Sequence, residues 1–149
     1  MQHMSTTVLI LCTGNSCRSQ MAEAFLQASD TSMHVYSAGT KPAKDVHPIA
    51  VEVMKEVGLD ISNRNPKSVD EFIRLSFDYL ITVCDNAKET CPVFLGNVRH
   101  RLHIGFDDPA EAKGTGDEII KEFRRVRDEI SSKFLQFSKQ IKNKVSVNP

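Results

Sequence analysis

The residues best suited to chemistry lie in one stretch, Cys12-Thr13-Gly14-Asn15-Ser16-Cys17-Arg18-Ser19. It follows the apolar run Val8–Leu11, which predicts a strand, and leads into a helical pattern that begins near Arg18. A loop that enters a helix in this way has backbone N–H groups without intrahelical partners, and the helix dipole adds positive potential there. The sequence therefore predicts a binding site for an oxyanion, formed by residues 13–19.

Two side chains add reactivity to this anion site. The planar guanidinium of Arg18 offers paired donors to a tetrahedral oxyanion. Cys12 ends the strand, where the helix dipole and the guanidinium favour thiolate over thiol, and we expect a pKa of roughly 3.5 to 7.5 there. The Ser19 hydroxyl can donate to this thiolate, whereas Cys17 is expected to pack in the core. We predict a nucleophilic thiol inside an anion pocket.

Composition limits the class of protein. The 149 residues contain nineteen basic and nineteen acidic side chains, so no overall charge draws the chain to nucleic acid or to an anionic membrane. The longest early apolar run, Val8–Leu11, is too short for a membrane span. We expect a cytoplasmic monomer with one domain over residues 6–142. Residues 1–5 are expected to be disordered or expression-derived, and residues 143–149 to form a frayed tail.

Strand and helix signals alternate along the chain. Beyond the first strand, strands are predicted at Met33–Tyr36, Tyr79–Val83 and, as a weaker edge element, Val98–Ile104. Helical patterns begin near residues 18, 48 and 115, and a capping box at 68–71 predicts a further short helix. This order predicts a single-domain α/β fold with α/β/α layers around a four-stranded parallel sheet.

Parallel strands bring their carboxyl ends to one edge of a sheet, where such folds bind ligands. Cys12 follows the first predicted strand, Cys84 the third and Asp108 the fourth. Pro109 holds Asp108 on a loop, but the adjacent Asp107 leaves the choice between the two carboxylates open. We predict a nucleophile, a second thiol and a proton donor at one rim.

Cys84 and Cys91 are separated by a six-residue spacer of mostly polar residues. A two-electron reduction needs thiols that carry oxidising equivalents outward as disulfides, whereas a hydrolase needs only Cys12. All four cysteines are expected to be reduced thiols. A structural zinc site is the alternative, but the spacings C-x4-C and C-x6-C differ from the usual C-x2-C. His100 and His103 are interpreted as strand or surface residues.

Several segments resemble the thioredoxin-coupled arsenate reductases, which share the fold of the low-molecular-weight protein tyrosine phosphatases. They are CTGNSCRSQMAE at 12–23, VYSAG at 35–39, MKEVGLDIS at 54–62, GFDDPA at 105–110 and RVRDEI at 125–130. The resemblance implies a low-molecular-weight phosphatase-like, flavodoxin-like fold. It also implies that Cys12 attacks arsenate held by Arg18, that Asp108 is the general acid, and that Cys84 and Cys91 complete a disulfide relay.

The same resemblance has implications for partners and ligands. No bound cofactor is expected. Thioredoxin would reduce the final disulfide with electrons from NADPH through thioredoxin reductase, or glutaredoxin with glutathione would do so as in some relatives. Asn15, Glu23 and Ser37 match ligands of a potassium site in some relatives, whereas Lys67 stands near the position of their aspartate ligand. The resemblance thus implies at most a weak potassium site.

Two other functions use the same residues. A low-molecular-weight protein tyrosine phosphatase would use Cys12, Arg18 and Asp108, but those enzymes usually carry tyrosines after the Asp-Pro pair, where Ala110-Glu111 stand here. A non-catalytic thiol redox sensor would use the cysteines alone, and it would leave the arginine-containing cradle unexplained.

Overall fold

A computed structural model describes residues 5–85, 89 and 93–147 of the chain. The strands are β1 (Thr7–Cys12), β2 (His34–Gly39), β3 (Ser76–Thr82) and β4 (Asn97–His103). The α-helices are α1 (Arg18–Ser29), α2 (Pro48–Glu56) and α3 (Gly116–Val147), and 3-10 turns lie at Val69–Phe72 and Pro109–Glu111. The element order follows the predicted alternation of strands and helices.

The four strands form one parallel sheet in the order β2-β1-β3-β4, which confirms the predicted sheet. Leu11 of β1 pairs with Thr82 of β3, so these central strands end at nearly the same level. The strand order reverses between β1 and β3, and ligands of such sheets bind beyond the carboxyl ends at this switch point. Both Cys12 and the segment after β3 lie there.

The two faces of the sheet are covered differently. In β1, Val8, Ile10 and Cys12 belong to the larger core with the three α-helices, whereas Leu9 and Leu11 belong to a smaller core. The smaller core is closed by Phe72 and Phe94 and is not covered by an α-helix of the described chain. The second layer of the predicted α/β/α arrangement is therefore thin. Within the described residues it consists of a 3-10 turn and the segment around Phe94.

Helix α3 extends further than the sequence predicted. Its buried face includes Phe123, Val126, Ile130, Phe134, Phe137 and Ile141. Lys142 Nζ donates to the carbonyl oxygen of Ser29 at 3.0 Å, so the helix is held against α1 at the point where fraying was expected. It continues to Val147, because an anchored helix propagates at little cost. Among the described helices, none combines the length and the apolar character needed to cross a membrane.

Two strand boundaries also differ from prediction. Strand β2 continues to Gly39, because Ser37–Gly39 pair with Ile10–Cys12 of β1 rather than turning away. Asp78 lies inside β3 instead of preceding it, and its carboxylate accepts hydrogen bonds from the backbone N–H and the hydroxyl of Thr7. These bonds satisfy the polar side chain of Asp78 within the sheet.

Candidate active site

The loop between β1 and α1 lines a cavity of about 600 Å³, to which all of Cys12–Arg18 contribute. Asn15 has φ of 52°, a left-handed conformation that is uncommon for residues other than glycine. Its buried amide offsets this strain, because Nδ2 donates to Ser19 Oγ at 2.8 Å and to Ser37 Oγ at 2.9 Å. Hydrogen bonds to Ser19 of α1 and Ser37 of β2 therefore hold the loop in one conformation.

The outer edge of the loop is fixed through its carbonyl groups. The backbone N–H groups of Lys41, Ala43 and His47 donate hydrogen bonds of 2.9–3.0 Å to the carbonyl oxygens of Thr13, Gly14 and Ser16, respectively. Within the described residues, no backbone acceptor pairs with the amides of 14–17, and no side chain caps α1 at Cys17. These N–H groups are the donors that an oxyanion needs.

Arg18 supplies the charge of the site from a buried position. Its side chain is 4% exposed, Nη1 donates to the carbonyl of Phe106 at 3.2 Å, and Nη2 lies 3.5 Å from Asp108 Oδ2. Its buried Nε has no hydrogen-bond partner among the described residues. Asp107 instead accepts from Arg125 at 2.8 Å. The structure thus brings Asp108, and not Asp107, to the guanidinium.

A carboxylate that the sequence analysis missed also lies in the cavity. Glu89 accepts from Arg18 through both oxygens, at 2.5 Å and 3.0 Å, and Thr13 Oγ1 donates to it at 3.2 Å. Burial alone would raise the pKa of Glu89, but the hydrogen bonds from Arg18 outweigh it and the pKa is lowered. Nothing in the polar spacer between Cys84 and Cys91 distinguishes this residue from its neighbours.

The environment of Cys12 shifts the pKa of its thiol in the direction opposite to the expected one. Its thiol is 3% exposed, and burial raises its pKa above the ordinary value of 9.0, although Arg18 and the N–H of Thr13 act to lower it. Glu89 and Asp108 add negative charge, which raises the pKa further. The predicted pKa of 3.5 to 7.5 is therefore wrong for this arrangement, because burial outweighs the lowering by Arg18 and the two carboxylates add to the effect of burial.

Two residues near Cys12 in sequence, Ser19 and Cys17, are buried. Ser19 is fully buried, accepts from Asn15 and does not line the cavity, unlike Cys12–Arg18. Cys17 is a buried free thiol that belongs to the larger core and also lines the cavity. Burial raises the pKa of Cys17 to about 12, which agrees with its place in the core.

Cys84 follows β3 and is completely buried beside the end of β1. The N–H of the preceding Val83 donates to the Leu11 carbonyl at 3.0 Å, which aligns the two strand ends. Cys84 is disulfide-bonded, whereas Cys12 and Cys17 are free thiols. The expectation of reduced thiols is therefore wrong for Cys84. The predicted partner in the relay, Cys91, lies outside the described residues.

The predicted potassium ligands are brought together, but they do not fit a resident cation. Ser37 donates to Glu23 at 2.8 Å and accepts from Asn15. Glu23 is already paired with two cations, since Arg64 contacts it directly and Lys67 Nζ lies 3.9 Å away. Two side-chain charges thus lie where a potassium ion would otherwise neutralise this carboxylate.

Other metal sites are not found in the part of the chain that the structure describes. No cluster of His, Cys, Asp and Glu there suits a metal ion. His100 stacks on Tyr79 at 5.1 Å, and His103 Nδ1 lies 2.7 Å from Thr82 Oγ1. Both histidines belong to β4, as the sequence predicted.

Comparison with known proteins agrees with this geometry. A family model described as low molecular weight phosphotyrosine protein phosphatase matches residues 7–147. The arsenate reductase of Halalkalibacterium halodurans is 45% identical over 132 residues, which cover 88% of this chain and 94% of that protein. The solved structure of an arsenate reductase in the phosphate binding state is 28% identical with a TM-score of 0.76, and the match covers 91% of this chain and 98% of the other.

A further solved structure is that of a thioredoxin-dependent arsenate reductase from Corynebacterium glutamicum. It is 31% identical with a TM-score of 0.57, and the match covers 93% of this chain and 65% of that one. The family model spans almost the whole chain, and the bacterial relative is similar over most of both lengths. The chain therefore belongs to the low molecular weight phosphotyrosine protein phosphatase family, within its group of arsenate reductases.

Proposed function

We propose that this chain reduces arsenate to arsenite, with Cys12 as nucleophile and Cys12, Cys84 and Cys91 as a disulfide relay. One observation carries the proposal: the free Cys12 thiol lines the same cavity as Arg18, whose buried Nε–H has no partner among the described residues. An unpaired buried donor costs roughly 1–3 kcal/mol. An oxyanion bound at Arg18 would remove that cost, and the names of the relatives identify the oxyanion as arsenate.

In the first step, the Cys12 thiolate attacks arsenic, so that an As–S bond forms and an As–O bond breaks. Asp108 protonates the departing oxygen, which leaves as water. The loop amides and Arg18 hold the remaining oxygens and stabilise their charge. Arsenic is still As(V) in this adduct, because no electron pair has yet been transferred to it.

In the second step, the Cys84 thiolate attacks the sulfur of Cys12. The S–S bond forms as the S–As bond breaks, and the electron pair of that bond reduces arsenic to As(III), which leaves as arsenite. Cys91 then attacks Cys84, and Cys12 is released as a thiolate. A free Cys12 with a disulfide-bonded Cys84 is the combination that such a relay leaves after one turnover, which supports the proposal.

We infer that thioredoxin reduces the final disulfide, with NADPH supplying electrons through thioredoxin reductase. The thioredoxin-dependent relative supports this donor, and glutaredoxin with glutathione is the alternative. We also propose a monomer, because Cys12, Arg18 and Asp108 of one chain line the cavity together. A thiol relay of this kind fits the cytoplasm, where thioredoxin keeps cysteines reduced.

The decisive experiment is arsenate-dependent NADPH oxidation by the purified, reduced protein with thioredoxin and thioredoxin reductase. Wild type should turn over, and Cys12→Ser should lose all activity. Cys91→Ser should release about one equivalent of arsenite and then stop, because Cys84 can still attack Cys12. Efficient hydrolysis of p-nitrophenyl phosphate without arsenate turnover would instead indicate a phosphatase. Thiol oxidation without arsenite release would indicate a redox sensor.

A further inference from the structure

The carboxylate of Glu89 takes the position of a ligand on the Arg18 guanidinium. Arg18 Nη1 donates to Oε2 at 2.5 Å and Nη2 donates to Oε1 at 3.0 Å, so the contact is bidentate. Thr13 Oγ1 donates to Oε1 at 3.2 Å, and the backbone N–H of Asp85 donates to Oε2 at 3.0 Å. Four donors therefore hold one carboxylate in the cavity that Cys12 lines.

These contacts occupy one edge of the guanidinium to which an oxyanion would bind. Besides Glu89, the Nη1 group of Arg18 serves the carbonyl of Phe106, and Nη2 lies 3.5 Å from Asp108. Only Nε has no partner among the described residues. Glu89 takes one of the two N–H groups of Nη2, so Nε–H and the other N–H of Nη2 form the edge that is left for a tetrahedral oxyanion. An oxyanion bound there would share one guanidinium with the carboxylate of Glu89.

The electrostatics of the pocket oppose the simultaneous binding of two anions at Arg18. Arg18 is 4% exposed and Glu89 is 21% exposed, so solvent screens their ion pair only in part. An incoming anion would meet the negative charges of Glu89 and Asp108 around a single guanidinium. The anion and the engaged carboxylate of Glu89 thus disfavour each other through charge, because both neutralise the same guanidinium.

We propose that Glu89 sets the oxyanion affinity of this site by acting as an internal competitor for the charge of Arg18, so that an oxyanion binds tightly only when the carboxylate has left the guanidinium. The inference rests on the proposed function, because it assumes that the cradle is an oxyanion site. When a binding-competent state is only a fraction of the population, apparent affinity falls by that fraction. A Glu89 that holds Arg18 about nine-tenths of the time lowers affinity about tenfold.

The test compares phosphate binding by wild type, Glu89→Gln and Glu111→Gln. Inorganic phosphate is titrated into each protein by calorimetry at about 0.15 M salt, with the protein oxidised so that Cys84 is in its disulfide. Glu111 also lines the cavity and loses the same charge, but among the described contacts its carboxylate makes none with Arg18. We expect Glu89→Gln to bind phosphate about tenfold more tightly and Glu111→Gln to change affinity less than about twofold.

A chemical readout at Cys12 adds an independent measurement. Iodoacetate carries a carboxylate that uses the cradle, whereas iodoacetamide is neutral, so competition by Glu89 slows only the charged reagent. The ratio of the iodoacetate rate to the iodoacetamide rate should rise in Glu89→Gln and stay unchanged in Glu111→Gln. Glu89→Ala serves as a second variant, and thermal unfolding of each protein verifies that it is folded.

The phosphate titration and the arsenate assay together distinguish failure of this inference from failure of the proposed function. Equal phosphate affinity in wild type and Glu89→Gln would overturn the proposal that Glu89 competes with an oxyanion. Equal increases in phosphate affinity in Glu89→Gln and Glu111→Gln would overturn it too. Weaker binding by Glu89→Gln would overturn it as well, since Glu89 would then support the site. Arsenate turnover by wild type together with any of these results leaves the proposed function intact. If no protein binds phosphate and wild type does not reduce arsenate, both proposals are overturned.

Discussion

Gly39 and Thr13 approach so closely that a β-carbon on Gly39 would lie 2.3 Å from the Thr13 carbonyl oxygen. The same β-carbon would lie 3.1 Å from the backbone nitrogen of Asn15. Gly39 ends β2 and pairs with Cys12, so the missing side chain is what lets the loop after Cys12 fold back over the strand end. A strand residue far from the loop in sequence thereby fixes the position of the anion cradle.

Gly39→Ala should therefore displace the loop that carries the donors. A displacement of about 1 Å in a positioned site can lower turnover about a hundredfold, and overpacking typically costs 1–3 kcal/mol of stability. We expect both effects, measured as arsenate turnover and as the free energy of unfolding in urea. Gly116→Ala is the matched control, because no atom lies within 4 Å of its β-carbon position. Full turnover in Gly39→Ala would contradict this account of the loop.

The sequence predicts the position of the loop that carries Cys12 and Arg18 well, because the parts of this loop are contiguous. An apolar run, a turn and a helix start place Cys12, Arg18 and the amides between them without any long-range contact. Asp108 needs one further step, the rule that ligands bind at the carboxyl ends of parallel strands. The same local patterns predict the parallel sheet, whose strands are short apolar runs between helical segments.

Other properties of the site depend on contacts that no local pattern contains. The pKa of Cys12 was predicted from a dipole and one guanidinium, yet burial and two carboxylates raise it. Glu89 reaches Arg18 from 71 residues away in sequence. Gly39 is marked only as the end of a strand, and its role depends on how close the loop backbone comes. The pKa of Cys12, the contact of Glu89 with Arg18 and the role of Gly39 all depend on distances between residues that are far apart in sequence.

Comparison of Asp108→Asn with Asp107→Asn should show which of the two adjacent aspartates is the general acid. Asp108 lies 3.5 Å from Arg18, whereas Asp107 accepts a 2.8 Å hydrogen bond from Arg125. Loss of a general acid typically lowers the rate 10²–10⁴-fold, and we expect a drop in this range for arsenite formation in a single turnover. Asp107→Asn should retain the rate within about threefold, since an exposed ion pair contributes little. A larger loss in Asp107→Asn than in Asp108→Asn would reverse the assignment.

Potassium should have little effect on this protein. Glu23 is paired with Arg64 and Lys67, so the charge that would attract a potassium ion is already neutralised. Replacement of potassium by sodium at constant ionic strength should change turnover by less than about twofold and leave the unfolding temperature unchanged.

The double variant Arg64→Ala/Lys67→Ala tests the reason for this. It leaves Glu23, Ser37 and Asn15 together without either cationic side chain. Its unfolding temperature should then rise as potassium is added, because a ligand that binds only the folded state stabilises it. A potassium-dependent rise in wild type would contradict the paired arrangement of Glu23.

Cys17 should make the stability of the protein depend on pH in the alkaline range. Burial raises its pKa from 9.0 to about 12, so the folded state holds this proton more tightly than the unfolded state does. The contribution is fully present below pH 9 and is lost as pH rises towards 12, and it corresponds to at most about 4 kcal/mol. We expect the advantage of wild type over Cys17→Ala in free energy of unfolding to shrink between pH 8 and pH 11. Titration of lysines and tyrosines is common to both proteins and cancels in the difference. Parallel pH curves for the two proteins would mean that the Cys17 thiol ionises as readily in the fold as in the unfolded chain.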